Sequence, residues 1–208
     1  NGNSQNASFL KNSLEPTFTL DVKKKGSKGI LLVINPSLSE EFGLEGYRMT
    51  IDANKILIEA LEPAGVFYGI QTLLQLLPED MSAKSKSFSI PSAEISDYPR
   101  FPWRAFMLDE SRHFKGMDEV KKLLNEMAYL KMNVFHWHLT DDQGWRIEIK
   151  KYPKLTSVGG TRNNTQIGGW NSEKRSGETH EGFYTQDQIK EIIAYADERH
   201  ITIVPEIE

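Results

Sequence analysis

Three stretches of the chain place ionisable side chains at or just beyond the end of an apolar run. Asp109, Arg112 and His113 follow the run at 104–108. His136, His138, Asp141 and Asp142 punctuate and follow the run at 133–139, and Glu206 and Glu208 follow the run at 201–204. Any one of these residues is as well explained by a salt bridge at a strand end, but agreement between three successive ends favours a site. Arg112 with Asp141 suits a polyol. Fixed guanidinium donors and a carboxylate acceptor can bracket vicinal hydroxyls, whereas a phosphate calls for more cations. Arg112 could also pair with Asp109 or Glu208, and a carboxylate that holds the arginine in place supports such a role rather than replacing it. His136 and His138, two residues apart, point to one side of a strand and could ligate a divalent ion in a metal-dependent hydrolase. Otherwise they are histidines bonded to neighbouring carboxylates.

For these groups to meet, the apolar runs must be neighbouring strands. Val120, Leu123, Leu124, Met127 and Leu130 recur at helical spacing between the first and second runs. Thr185 with Gln188 forms a capping box that opens a second helix, whose stripe is Ile189, Ile192, Ile193 and Ala196. A β-α-β-α-β order with nearly continuous apolar strands predicts a parallel sheet covered by helices. A doubly wound sheet would want a Gly-rich phosphate turn after its first strand, but residues 109–114 are bulky and charged. The preferred reading is a (β/α)8 TIM barrel, in which functional groups sit at the C-terminal ends of the strands. Such a barrel takes about 250 residues, so residues 97–208 supply only its first part, roughly three of eight strands, and the remainder of the barrel is required.

Residues 16–96 predict a small α+β domain. Strands are expected at 17–22, 30–34, 47–51 and 56–60. A helix follows, carrying Val66, Ile70, Leu73, Leu74 and Leu77 and stopped by Pro78. Residues 1–15 are polar and Asn/Ser-rich and are expected to be a flexible N-terminus. The Ser/Lys/Pro stretch at 82–91 and the prolines at 99 and 102 mark the domain boundary.

A net charge of −4, with Lys23–Lys25 the longest basic run, argues against nucleic acid. The chain has no cysteine, which removes disulfides, thiol nucleophiles and Cys-type zinc sites. No apolar run approaches the roughly 20 residues that span a bilayer. The chain opens on Asn1 without a Met or a signal-like segment and reads as a trimmed or mature product. Asn6-Ala7-Ser8 and Asn163-Asn164-Thr165 fit the glycosylation sequon, a pattern short enough to arise by chance.

The run RAFMLDESRHF at 104–114, MAYLKMNVFHWHLTDDQGWR at 127–146, VPEIE at 204–208 and GVFYGIQTLLQL at 65–76 together resemble glycoside hydrolase family 20, the β-N-acetylhexosaminidases. The resemblance covers the chain from about residue 16. It implies exo-hydrolysis of terminal β-linked N-acetylglucosamine or N-acetylgalactosamine with retention, in which the acetamido oxygen of the substrate attacks in place of a protein nucleophile. It also implies a Glu general acid and an assisting Asp after the fourth strand, beyond residue 208. Arg112 matches the family's arginine for the 3- and 4-hydroxyls of the terminal sugar. Asp141 matches a carboxylate that supports a downstream histidine, and Glu208 falls where the family has an acidic residue beside the arginine. The implied partner is a glycan with a terminal β-N-acetylhexosamine, with no cofactor, and the implied location is secreted, periplasmic or cell-surface. A non-catalytic carbohydrate-binding module is the alternative that the missing acid suggests.

Residues 1–208 alone are therefore expected to leave an aryl N-acetyl-β-glucosaminide intact, while a chain carrying the later strands releases the aryl group. Release by the short chain at the rate of the longer one would overturn this expectation.

Overall fold

The computed structural model describes residues 2–15, 18–19, 21–23, 26–38, 40–78, 89–169 and 171–208. The chain divides into two compact units, Asn1–Pro102 and Trp103–Glu208.

The first unit opens with helix α1 (Gly2–Leu14), where composition suggested a flexible end. The physical reason is a stripe at spacing four: Asn6, Leu10 and Leu14 are all buried. Phe9 stands edge-on to Phe67 with ring centroids 4.9 Å apart, and the Asn6 side-chain amide donates to the Pro63 carbonyl at 2.7 Å. Polar composition hid a helix that needs only one narrow apolar seam. Strands β1 (Gly29–Ile34), β2 (Tyr47–Ile51) and β3 (Lys55–Ala60) follow. They are rich in β-branched and apolar residues that suit a half-buried pleated surface. The turn between β2 and β3 closes when Asp52 accepts from the backbone N–H groups of Asn54 and Lys55 at 2.7 and 3.0 Å.

Helix α2 (Pro63–Gln75) has Pro at its start, where no intrahelical N–H is needed. A Cβ at Gly65 would lie 2.2 Å from the Gly46 carbonyl oxygen, and one at Gly69 would lie 2.4 Å from Ile58, so these glycines let the helix lie close against β2 and β3. Strand β4 (Ala93–Asp97) completes a mixed sheet of order β1-β3-β2-β4, in which only β1 and β3 run parallel. β4 was not foreseen, and it extends the first sheet to Asp97, past the expected boundary. Of the strand expected at 17–22, Thr17 and Leu20 lie outside the described residues. Phe18, Thr19, Asp21 and Val22 are not in a strand.

The second unit is built on strands β5 (Ala105–Asp109) and β6 (Val134–Asp141), with helix α3 (Met117–Tyr129) between them. Val120, Leu124, Met127 and Ala128 form the buried face of α3, and Leu130 stands exposed beyond its end. A short strand β7 (Gly144–Trp145), helix α4 (Lys154–Ser157) and the strand pair β8 (Thr161–Arg162) and β9 (His180–Glu181) make up a long excursion. Helix α5 (Gln186–Asp197) then starts on the expected capping box. The Gln188 N–H donates to the Thr185 hydroxyl, and the Thr185 N–H donates to the Gln188 side chain. Strand β10 (Thr202–Ile207) closes a parallel sheet of order β10-β6-β5. In this register Asp109 and Glu206 both lie opposite His138, so three strands present these residues at one level, and β6 runs on beyond it to Asp141.

The excursion reads as a loop in sequence, yet it is tied to the segment after β5. His180 accepts from the Phe114 N–H at 2.9 Å. Burial holds His180 below the usual histidine range, and Arg162 and Arg146 add to the effect; His113 is lowered in the same way, by burial and then by Arg162. Protonation would turn the His180 acceptor into a donor facing an N–H.

Two measurements follow from these contacts. Leu10→Ala should cost about 2–5 kcal/mol in denaturant unfolding, as for other buried leucines. A change below about 0.5 kcal/mol, the size typical of surface sites, would show that α1 is not packed. For the second unit, histidines whose folded pKa lies below the unfolded value of about 6.5 contribute fully above that pH. Their contribution falls as the unfolded state takes up protons first. Stability should therefore decline from about pH 7 to 5 more steeply in the unaltered chain than in the His113→Gln/His180→Gln variant. Identical slopes in pH-dependent melting would sink that assignment.

Candidate active site

The neighbouring strand ends bring six charged or ionisable side chains into one connected row. Arg112 lies in the turn after β5, where Asp109 caps it: the Arg112 N–H donates to Asp109 Oδ1 at 3.0 Å, and Arg112 Nη1 donates to Asp109 Oδ2 at 3.1 Å. The same Nη1 lies 2.6 Å from Asp141 Oδ2 at the end of β6. Asp141 continues to His138 Nε2 at 3.2 Å, His138 Nδ1 lies 3.1 Å from Glu206 Oε2, and that oxygen lies 2.6 Å from His136 Nε2. The path Asp109–Arg112–Asp141–His138–Glu206–His136 crosses three strands without a gap. It exists because a parallel register sets alternate residues of adjacent strands side by side on one face.

Only one guanidinium nitrogen of Arg112 is engaged by these acids. Among the described residues its Nε and Nη2 make no hydrogen bond, and its side chain is 36% exposed. An arginine has five donors in a fixed fork, so most of this fork is available to a ligand while two carboxylates fix its direction. Asp141 is also constrained, since its Oδ1 accepts from the Asp142 N–H at 2.7 Å. Beside it opens a cavity of about 890 Å³ walled by Asp142, Trp145, Tyr152, Leu155 and Val158.

The expected residues come together unevenly. Arg112 and Asp141, expected to face the same ligand, are also in direct contact, and of the two carboxylates considered as partners of Arg112 it is Asp109 that pairs with it. Glu208 is held differently. Its backbone N–H donates to the Thr140 hydroxyl at 2.9 Å, and among the described residues Arg112 pairs with Asp109 and Asp141 and not with Glu208. His136 and His138 are engaged with Glu206 and Asp141, the carboxylate-bonded arrangement of the two considered for them. His138 is buried, and its Nε2 is also 2.9 Å from the Thr140 carbonyl. Trp137 is core, buried against Phe135 and Tyr184, while Trp170 lies outside the described residues.

Two arginines that sequence reasoning passed over define the turn. Arg146 is fully buried and donates only to backbone carbonyls: Glu110 at 3.1 Å, Ser111 at 3.0 Å, Gly160 at 2.6 Å and Gly182 at 2.9 Å. Arg162, on β8, donates to the carbonyls of Gln143 at 2.8 Å and Ser111 at 3.3 Å, to the Thr165 hydroxyl at 2.9 Å, and to the Arg112 carbonyl. Glu110 is buried beneath them. It accepts from the Tyr184 hydroxyl at 2.7 Å and the Lys115 N–H at 2.6 Å, and burial still raises its carboxyl above the usual range. Burial and the Glu110 charge push the Tyr184 phenol up, which keeps it a donor. The available signal for the two arginines was an Arg at a strand end with no acidic neighbour in sequence, a weak one.

Comparison with known proteins places this arrangement. Residues 101–208 match Glycosyl hydrolase family 20, catalytic domain, and residues 1–98 match Glycosyl hydrolase family 20, domain 2. A beta-hexosaminidase of Vibrio furnissii is 42% identical over 205 residues, covering 97% of this chain and 32% of that protein. One of Porphyromonas gingivalis is 46% identical over 167 residues, covering 79% and 20%. Among solved structures, a mutant beta-hexosaminidase of Streptomyces plicatus in complex with product GlcNAc superposes with a TM-score of 0.86 at 38% identity, covering 99% of this chain and 39% of that one. The chain thus spans about a fifth to two fifths of the length of these relatives. With the catalytic-domain match running over more than half its residues, the chain belongs to glycosyl hydrolase family 20.

Proposed function

We propose that this chain supplies the sugar-gripping part of a β-N-acetylhexosaminidase, an exo-acting, retaining hydrolase of terminal β-linked GlcNAc or GalNAc. The observation that carries the reading is Arg112, whose guanidinium is fixed through one nitrogen by Asp109 and Asp141 while, among the described residues, its Nε and Nη2 donors are unengaged. Such a fork can donate in parallel to two adjacent hydroxyl oxygens, the 3- and 4-hydroxyls of a terminal sugar. A GlcNAc-bound relative of high structural similarity supports the same ligand class.

On this proposal the β5-β6-β10 sheet is the opening part of a (β/α)8 barrel, whose strand ends face the substrate. The acetamido oxygen of the sugar attacks its own anomeric carbon as the glycosidic bond breaks. A Glu contributed by sequence after residue 208 protonates the departing oxygen, and a neighbouring Asp steadies the acetamido group. Water then opens the ring so formed, with net retention. Arg112 holds the non-reducing end throughout, Asp141 keeps Arg112 and His138 in place, and Glu208, anchored through its backbone on Thr140, lines the same rim. A secreted, periplasmic or cell-surface location suits a polymeric glycan substrate.

In the full-length gene product, Arg112→Ala should lower kcat/KM on an aryl N-acetyl-β-glucosaminide by about 2–4 kcal/mol, roughly 30- to 1,000-fold. An unchanged kcat/KM would remove Arg112 from the site.

A further inference from the structure

The turn that carries Arg112 leaves the sheet at Asp109, so its carbonyls have no strand to accept from. Those of Glu110, Ser111 and Arg112 are instead taken in succession by guanidinium donors. Arg146 takes Glu110 and Ser111, and Arg162 takes Ser111 and Arg112. Arg162 is unlike the buried Arg146 in where it stands. It belongs to the β8–β9 pair, fifty residues along the chain from Arg112, and is itself aimed by the Thr165 hydroxyl on its Nε. On the facing strand, His180 holds the Phe114 N–H two residues past Arg112. The excursion therefore grips the Arg112 turn from both sides.

We propose that Arg162 is a positioning residue for Arg112: by donating to the Arg112 and Ser111 carbonyls it sets the backbone from which the sugar-binding guanidinium projects. A cation directed at neutral oxygens, with no carboxylate in contact among the described residues, gains nothing from ion pairing. What it does is fix three carbonyls of two separate loops, those of Ser111, Arg112 and Gln143, in one plane of donors. The side chains of Asp109 and Asp141 fix the far end of Arg112, and Arg162 fixes its root. A ligand-binding fork constrained at both ends pays little ordering cost on binding. The inference rests on the reading of Arg112 as the sugar-binding residue.

A double-mutant cycle in the full-length gene product tests it, with kcat and KM measured on the aryl glucosaminide for the unaltered protein, Arg112→Ala, Arg162→Ala and the double variant. Arg162→Ala is expected to lower kcat/KM about tenfold when Arg112 is present, and by less than about twofold when it is absent. Arg162→Lys, which keeps the charge and loses the fork, runs in parallel so that the cycle survives a folding failure of the alanine variant. It should show the same non-additivity at smaller size, with an unchanged melting midpoint. An equal loss in both Arg112 backgrounds, or no loss from either Arg162 variant, overturns the inference while leaving Arg112 in the site. No loss from Arg112→Ala overturns the sugar-binding reading and this inference with it.

Discussion

The backbone of the Arg112 turn and of the excursion beside it is held by a guanidinium that, among the described residues, bonds no carboxylate. Arg146 is fully buried, and its donors end on four carbonyl oxygens from three segments that are far apart in the chain: the turn after β5, Gly160 before β8, and Gly182 after β9. A buried charge is costly unless its hydrogen-bonding capacity is met. That cost makes the arrangement close to all-or-none, since displacing any one segment strands a donor of a desolvated cation. Glycine at 144 is part of the same constraint, because a Cβ there would lie 2.4 Å from the Arg146 guanidinium. Irregular backbone, which has no sheet or helix of its own to satisfy it, is ordered here by one side chain.

The second organising feature is the shared end-line of the three parallel strands. It alternates three carboxylates, Asp109, Asp141 and Glu206, with one arginine and two histidines. Coulombic repulsion among those acids is relieved by interleaving: each carboxylate in the row is separated from the next by an arginine or an imidazole. The result is a rigid acceptor-rich rim with one outward-facing cationic fork, a pattern suited to a neutral polyhydroxylated ligand and poorly suited to an anion.

Much of this was readable from the chain because strands and capped helices announce themselves locally. The apolar run before Asp141 and the Thr185–Gln188 box rest on residue type and short spacing, and each is where those rules put it. What was not readable depends on contacts distant in sequence. Helix α1 is held by a few side chains, Asn6, Phe9, Leu10 and Leu14 among them, on a polar peptide, so its composition pointed the other way. Strand β4 sits beyond a stretch whose composition suggested a linker, and only pairing with β2 makes it a strand. Arg146 and Arg162 serve backbone oxygens, which carry no residue-type signature; the β8–β9 pair and the contacts of Gly160 and Gly182 were therefore invisible although the consequences for Arg112 are direct.

The level row formed by Asp109, His138 and Glu206 also limits how such a chain can change length. Side chains alternate between the two faces of a strand, so loss or gain of one residue between Val134 and His138 would turn Trp137 or Leu139 toward the rim and drive an imidazole into the apolar layer. Insertions and deletions should therefore be excluded from the strands. They should collect instead between Gln166 and Glu178, where most of the described residues are exposed and none belongs to the row.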